Sequence, residues 1–187
     1  MPSTRRRMLS YGVRLRNAMT TDQKPPLVTT YLEMQSPEQL RPKRGDERFQ
    51  VREQTNRDWR FNRDFYFAVG AQWQWIDKRP WTDEQWQEYA VAPELRAFAA
   101  YYGGALAGYY ELRQDGEGGV EIAYFGLLPE FIGSGLGSAL LTSAIEEAWK
   151  MLPKRVWVHT CNRDHPQALA NYQARGMIVY KVEETGS

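Results

Sequence analysis

Residues 120–149 read VEIAYFGL (Val120–Leu127), LPEFIGSGLG (Leu128–Gly137) and SALLTSAIEEAW (Ser138–Trp149). The first block is β-branched and aromatic, as a strand requires. From the end of the second block through the third, Leu136, Leu140, Leu141, Ala144, Ile145, Ala148 and Trp149 fall on one helical face. Between them, Gly133, Gly135 and Gly137 open the helix. Glycines allow close backbone approach, and the first helical turn leaves free N–H groups at the positive end of the dipole. Strand, glycine turn and helix together make an anion cradle that needs no lysine. No Gly-Lys-Ser/Thr follows, so the turn is not a P-loop. Gly-x-Gly-x-Gly also departs from the dinucleotide spacing, and four strands precede the turn.

Working outward, Leu27–Met34 reads as a first strand and residues 35–45 as a polar loop. Helical spacing over 56–69 predicts a helix ending at Gly70. Thr82-Asp83-Glu84-Gln85 is a capping box for a helix to Val91, stopped by Pro93. Leu95–Tyr102 and Ala105–Arg113 form a hairpin about Gly103-Gly104, and Val120–Leu127 is the next strand. After the central helix, expected over 135–151, come a strand at Arg155–Thr160, a helix at Pro166–Arg175 and a last strand at Met177–Val182. The class is α/β (α+β) with a mixed sheet.

The 187 residues carry 24 Lys and Arg against 23 Asp and Glu, a net charge of +1. That near-balance argues against nucleic-acid binding through counterion release. The even total hides a basic arm: residues 1–21 hold five Arg and no acid. Residues 1–24 read as a disordered extension, a transit-like segment, or a stretch ahead of a true start at Met19. Pro25-Pro26 separates this arm from one domain over 25–187, which holds 18 basic against 22 acidic residues. Cys161 is alone and cannot form an internal disulfide, which points to a reducing, cytoplasmic setting. No apolar run approaches the roughly 20 residues of a membrane span.

The glycine turn IGSGLG (Ile132–Gly137) resembles the Gln/Arg-x-x-Gly-x-Gly/Ala acetyl-CoA loop of the GNAT acyltransferase superfamily. ALANYQARGM (Ala168–Met177) is similar to that superfamily's Ala-x-x-x-Tyr-x-x-x-Gly-Phe/Met motif. With HTCNRDHPQAL (His159–Leu169), the pattern resembles a bacterial subgroup of GNAT proteins, strongly over 94–184 and more weakly over 27–93. Ile132 stands where Gln or Arg is usual, so a side-chain contact is expected to be lost while the backbone cradle remains.

The resemblance implies a mostly antiparallel twisted sheet of 6–7 strands, splayed at the acetyl-CoA site and flanked by helices. It implies transfer of an acetyl group from acetyl-CoA to a primary amine by direct attack in a ternary complex. The alternative is a non-catalytic acyl-CoA-binding or protein-interaction module of the same fold, and transfer of a longer acyl chain is a third reading. Under the first, the Phe125-Gly126-Leu127 backbone holds the pantetheine arm, and the Phe125 N–H polarises the thioester carbonyl. The N–H groups of Gly133, Ser134, Gly135, Leu136 and Gly137 hold the pyrophosphate. Glu121 is the candidate base, on one strand face with Ala123, Phe125 and Leu127, its pKa raised by apolar neighbours. Tyr172 is the candidate acid for the leaving thiolate, and Asn162 faces the gap toward the pantetheine. His159 and His165 read as structural, and Cys161 as a small buried residue.

Thirteen of the 25 aromatic residues lie in 59–102. With the acidic balance of 64–119, they suit a cationic amine acceptor with an apolar or planar body. Trp73, Trp75 and Trp81, in the loop WQWIDKRPW, are the pocket candidates beside Glu121. The competing reading is helix–helix core packing. No Cys/His cluster suggests a metal, nothing suggests nucleic acid or membrane as a partner, and a homodimer stays open.

Overall fold

Two left-handed glycines, Gly103 (φ 60) and Gly104 (φ 85), turn the chain back on itself at its centre. They join β3 (Leu95–Tyr102) to β4 (Ala105–Gln114) as an antiparallel hairpin. Two consecutive positive φ values suit the twist of the flanking strands, and glycine takes them without strain. The computed structural model describes residues 26–73 and 75–186. The basic arm expected over 1–24 lies outside the described residues.

Around the hairpin, the other strands are β1 (Leu27–Met34), β2 (Phe49–Glu53), β5 (Gly119–Leu127), β6 (Arg155–Cys161) and β7 (Ile178–Thr185). The helices are α1 (Trp59–Gly70), α2 (Asp83–Val91), α3 (Leu136–Trp149) and α4 (Ala168–Ala174). Among the described residues, seven strands form one sheet in the order β2-β3-β4-β5-β6-β1-β7. Only β5 and β6 run parallel. No described helix is long and apolar enough to cross a membrane.

The capping box that opens α2 is formed: Gln85 N donates to Thr82 Oγ1, and Thr82 N donates to Gln85 Oε1. The α1 N-cap is Asp58, two residues inside the expected start. β2 has no counterpart among the expected strands. Phe49 and Val51 alternate with Gln50 and Arg52 over only five residues, and the strand exists by pairing along β3. It is an edge strand whose apolar positions pack on the core.

One face of the sheet is covered by α3. Leu140, Leu141, Ala144, Ile145 and Ala148 are fully buried against Leu32, Leu112, Ile122, Val156 and Val158. Burying each Leu or Ile contributes about 1.5–3 kcal/mol. The opposite face is covered by α1 and α2, with Phe65 and Val69 on Tyr109 and the Trp86 ring beside Tyr66.

Past α4, Gly176 adopts φ +100, and a Cβ there would collide with the Gln39 main-chain carbonyl. Gly176→Ala is therefore expected to lower stability by about 2 kcal/mol, read as a lower denaturation midpoint at unchanged m value. An unchanged midpoint would contradict that geometry.

Two features of β5 shape the space beside it. First, its register with β4 pairs Glu111 with Tyr124 but Leu112 with Ile122, so Ala123 is a bulge. A bulge breaks the strict alternation of side chains. Second, β5 and β6 pair only from Gly119–Arg155 to Glu121–Trp157. Beyond Glu121 the two strands part.

Candidate active site

The parting of β5 and β6 opens a cleft of about 960 Å³. Its walls are β5 from Glu121 to Leu127 and β6 from Val158 to Cys161, with α4 along one side. The glycine turn lies at one part of the rim and the loop Trp73–Lys78 at another, excepting Gln74, which is not described. A volume of this size accommodates a large cofactor.

At the glycine turn, Gly133 (φ 84) and Gly135 (φ 83) are left-handed, and Gly135 caps the 14-residue helix α3. Nothing stands within 4 Å of a Cβ built at either position, so the glycines serve conformation rather than close packing. The amides of Gly133, Gly135 and Gly137 have no acceptor among the described residues. Two of the expected contributors differ. Ser134 N donates to Phe131 O at 3.2 Å, and Leu136 N reaches Ser134 Oγ at 3.4 Å. Those two amides are engaged within the turn, and neither residue lines the cleft. Ile132 does line it and is 36% exposed, presenting an apolar side chain.

On β5, Leu128 N donates to Ala107 O, so alternation turns the Gly126 N–H toward β4 and the Phe125 and Leu127 N–H groups toward the gap. The Ala123 bulge corrects the expected facing of Glu121. Phe125 and Leu127 pack with Ile122 on the α3 side, whereas Tyr124 and Gly126 face α1.

Glu121 is only 2% exposed. Arg113, directly across on β4, donates to its Oε2 at 2.6 Å. His159, two residues past the β5–β6 ladder's last rung on β6, places Nδ1 3.3 Å from Oε1. Burial pushes the Glu121 carboxyl up, but the hydrogen bonds and charges of His159 and Arg113 outweigh it and hold the pKa below the ordinary value. The expected rise is therefore reversed: the neighbours are hydrogen-bond donors from His159 and Arg113, the latter a fixed charge, not an apolar wall. Both partners are near half exposed, with side chains at 44% and 47%.

Tyr172 on α4 is 6% exposed, lines the cleft and lies 6.2 Å from the Phe125 ring, centroid to centroid. Its hydroxyl has no hydrogen-bond partner among the described residues. Burial, and secondarily Asp164, pushes the phenol well up, away from the expected match to a thiolate.

Asn162 does not face the gap. Its Nδ2 donates to Pro26 O and its Oδ1 accepts from Val28 N, pinning the start of β1. Cys161 is half-buried in the cleft wall rather than buried, and burial pushes its thiol up, away from the reactive thiolate. His165 Nδ1 accepts from Gln167 N, and its ring stands edge-on to Trp73 at 5.0 Å.

Of the three tryptophans, Trp73 and Trp75 line the cleft. Trp75 fills the space beside Gly70 and packs on Tyr124 at 5.0 Å. Trp81 does not line it; its ring packs on Trp86 and Tyr89 and covers the Lys78 ammonium. Sequence reasoning missed Arg113 and Lys78. Finding Arg113 required the β4–β5 register across a glycine-rich turn, and Lys78 carries the local signal of a loop charge. Among the described residues, no cluster of three or more His, Cys, Asp or Glu is arranged to hold a metal ion.

A mostly antiparallel sheet that parts beside a glycine turn at a helix N-terminus defines the N-acetyltransferase fold. Residues 49–177 match the family model for the acetyltransferase (GNAT) family, and the chain belongs to that family. It is similar in structure to a GCN5-related N-acetyltransferase from Sphaerobacter thermophilus, with a TM-score of 0.68 at 18% identity, over 87% of this chain and 51% of that one. The chain thus spans about half the length of that protein. It also resembles an aminoglycoside acetyltransferase from an uncultured soil metagenomic sample, with a TM-score of 0.57 at 15% identity, over 70% and 88% of the two chains. A third likeness is a tandem GNAT protein of the clavulanic acid biosynthesis pathway, with a TM-score of 0.53 at 18% identity, over 89% and 55%. Comparison with curated protein sequences finds no match.

Proposed function

We propose that residues 26–186 form one catalytic unit that moves an acetyl group from acetyl-CoA to a primary amine by direct attack in a ternary complex. The observation that carries this is the cleft itself. It joins unengaged amides at Gly133, Gly135 and Gly137 to gap-facing N–H groups on β5 and to the Glu121–His159–Arg113 cluster. A cytoplasmic setting, where acetyl-CoA and a free Cys161 thiol both persist, fits this reading.

Acetyl-CoA supplies the acyl group and a thiol leaving group. The three glycine amides and the α3 dipole would hold its pyrophosphate. The Phe125 and Leu127 N–H groups would hold the pantetheine arm, with Phe125 donating to the carbonyl oxygen as charge develops there.

An alkylamine is largely protonated at pH 7 and must lose a proton to attack. Glu121, held as a carboxylate, is a weak base and is nearly sealed from the cleft. His159 is the exposed member of the pair, and imidazole both takes and gives protons near neutral pH. His159 therefore accepts the amine proton, while Glu121 orients the ring and stabilises its charged form. Tyr172 stays protonated and donates a hydrogen bond to the departing sulfur. Tyr172→Phe is expected to lower kcat about tenfold while leaving acetyl-CoA affinity within about twofold, because the lost bond forms as the sulfur leaves. Unaltered turnover would remove that role.

Initial-rate kinetics with both substrates varied test the proposal. Direct attack gives intersecting double-reciprocal lines. Parallel lines would show a covalent acyl-enzyme and overturn it.

A further inference from the structure

The acidic, aromatic wall beside the cleft already holds a cation, and it is the protein's own. The Lys78 side chain is only 11% exposed. Its Nζ lies 4.2 Å from the Trp81 ring centroid, 4.9 Å from Tyr89 and 5.2 Å from Tyr124. Three faces at such distances form a cation–π cage. Two carboxylates back it. Asp77 Oδ2 is 3.3 Å from Nζ, and Asp77 is clasped by the hydroxyls of Tyr66 and Tyr124 at 2.9 and 2.8 Å.

Glu111 is the second carboxylate. It is 1% exposed and accepts from Asn62 Nδ2 at 2.8 Å and from the Tyr89 hydroxyl at 2.5 Å. Burial pushes its carboxyl up to about 6, against the pull of these bonds and of the Lys78 charge. The Tyr109 hydroxyl, fully buried in the field of the same two carboxylates, has no partner among the described residues. The Lys78 ammonium is thus the cation inside the cage for both carboxylates, the Arg113 charge adding a weaker pull on Glu111 from outside it, and Lys78 also lines the cleft.

We propose that the cage of Trp81, Tyr89 and Tyr124, backed by Asp77 and Glu111, is a subsite for an alkylammonium group of the acceptor, which Lys78 fills in the free protein. The assignment of the ligand as an acceptor rests on the acetyl-transfer reading; the cation specificity rests on the cage alone. The acceptor class is an amine carrying a second cationic centre, which displaces Lys78 while its first amine reaches His159.

The test is calorimetric titration of tetramethylammonium and of n-butylammonium into the wild-type protein and Lys78→Ala, with acetyl-CoA titrated separately into each. Both cations are expected to bind Lys78→Ala at least about tenfold more tightly than wild type, because the internal competitor is gone. Lys78→Ala/Tyr89→Ala is expected to lose that gain. Should Lys78→Ala fail to fold, Lys78→Gln carries the same comparison, with a smaller gain of the same sign. A folded Lys78 variant that binds acetyl-CoA yet binds neither cation more tightly than wild type overturns the proposal. Failure of the wild-type protein to bind acetyl-CoA would instead overturn the acetyl-transfer reading, and the cation titrations still decide the cage.

Discussion

Glu121→Gln is expected to lower the turnover of acetyl transfer about 10²-fold, the lower end of what general base catalysis contributes. The amide keeps the shape of the side chain but cannot stabilise a charged imidazole at its 3.3 Å contact with His159. His159→Gln should fall by a similar factor, and the double variant little further, since the two act as one unit. The pH–rate profile separates this from general damage: His159→Gln loses the limb that reports deprotonation of the base, and Glu121→Gln displaces that limb. A profile unchanged in shape and position would remove Glu121 and His159 from proton transfer.

The same carboxylate has a signature in stability. Its folded pKa lies below the ordinary 4.5, so its contribution is full above that pH and fades as pH falls through the folded value. Thermal midpoints of wild type and Glu121→Gln should therefore converge as the pH is taken well below 4.5.

The second large effect concerns the glycine turn. Gly133→Ala/Gly135→Ala is expected to weaken acetyl-CoA binding about 10²-fold, with kcat at saturation changed far less. Each alanine placed in the left-handed region costs about 1–2 kcal/mol, which the turn escapes by abandoning the conformation that aims its amides. Open space around both positions means that no clash adds to this strain. Calorimetry with acetyl-CoA reads the effect, and an unaltered Kd would show that these amides do not hold the ligand.

How much the sequence reveals depends on the range of the forces involved. The Gly103-Gly104 hairpin, the Thr82–Gln85 capping box and the stripe of α3 are local patterns, and each forms where expected. The cleft was legible in the glycine turn and the motif at Ala168–Met177. Strand register was not. The Ala123 bulge separates Glu121 from the face of Phe125, and it is visible only once β4 lies alongside. The pull on the Glu121 carboxyl comes from Arg113 and His159, which the sheet brings together from two other strands. Asn162 was misplaced for a similar reason, since its amide finds β1, far away in the chain. Lys78 reads as a solvated loop charge because its cage is assembled from Trp81, α2 and β5.

The central claim is that this cleft transfers an acetyl group to an amine. Its most direct test is thiol release from acetyl-CoA, followed with a thiol reagent, across a panel of mono- and dicationic primary amines. Amine-dependent thiol release matched by N-acetylated product is expected, falling about 10²-fold in Glu121→Gln. Saturable acetyl-CoA binding without release for any amine in the panel would contradict it and leave a non-catalytic acyl-CoA-binding module.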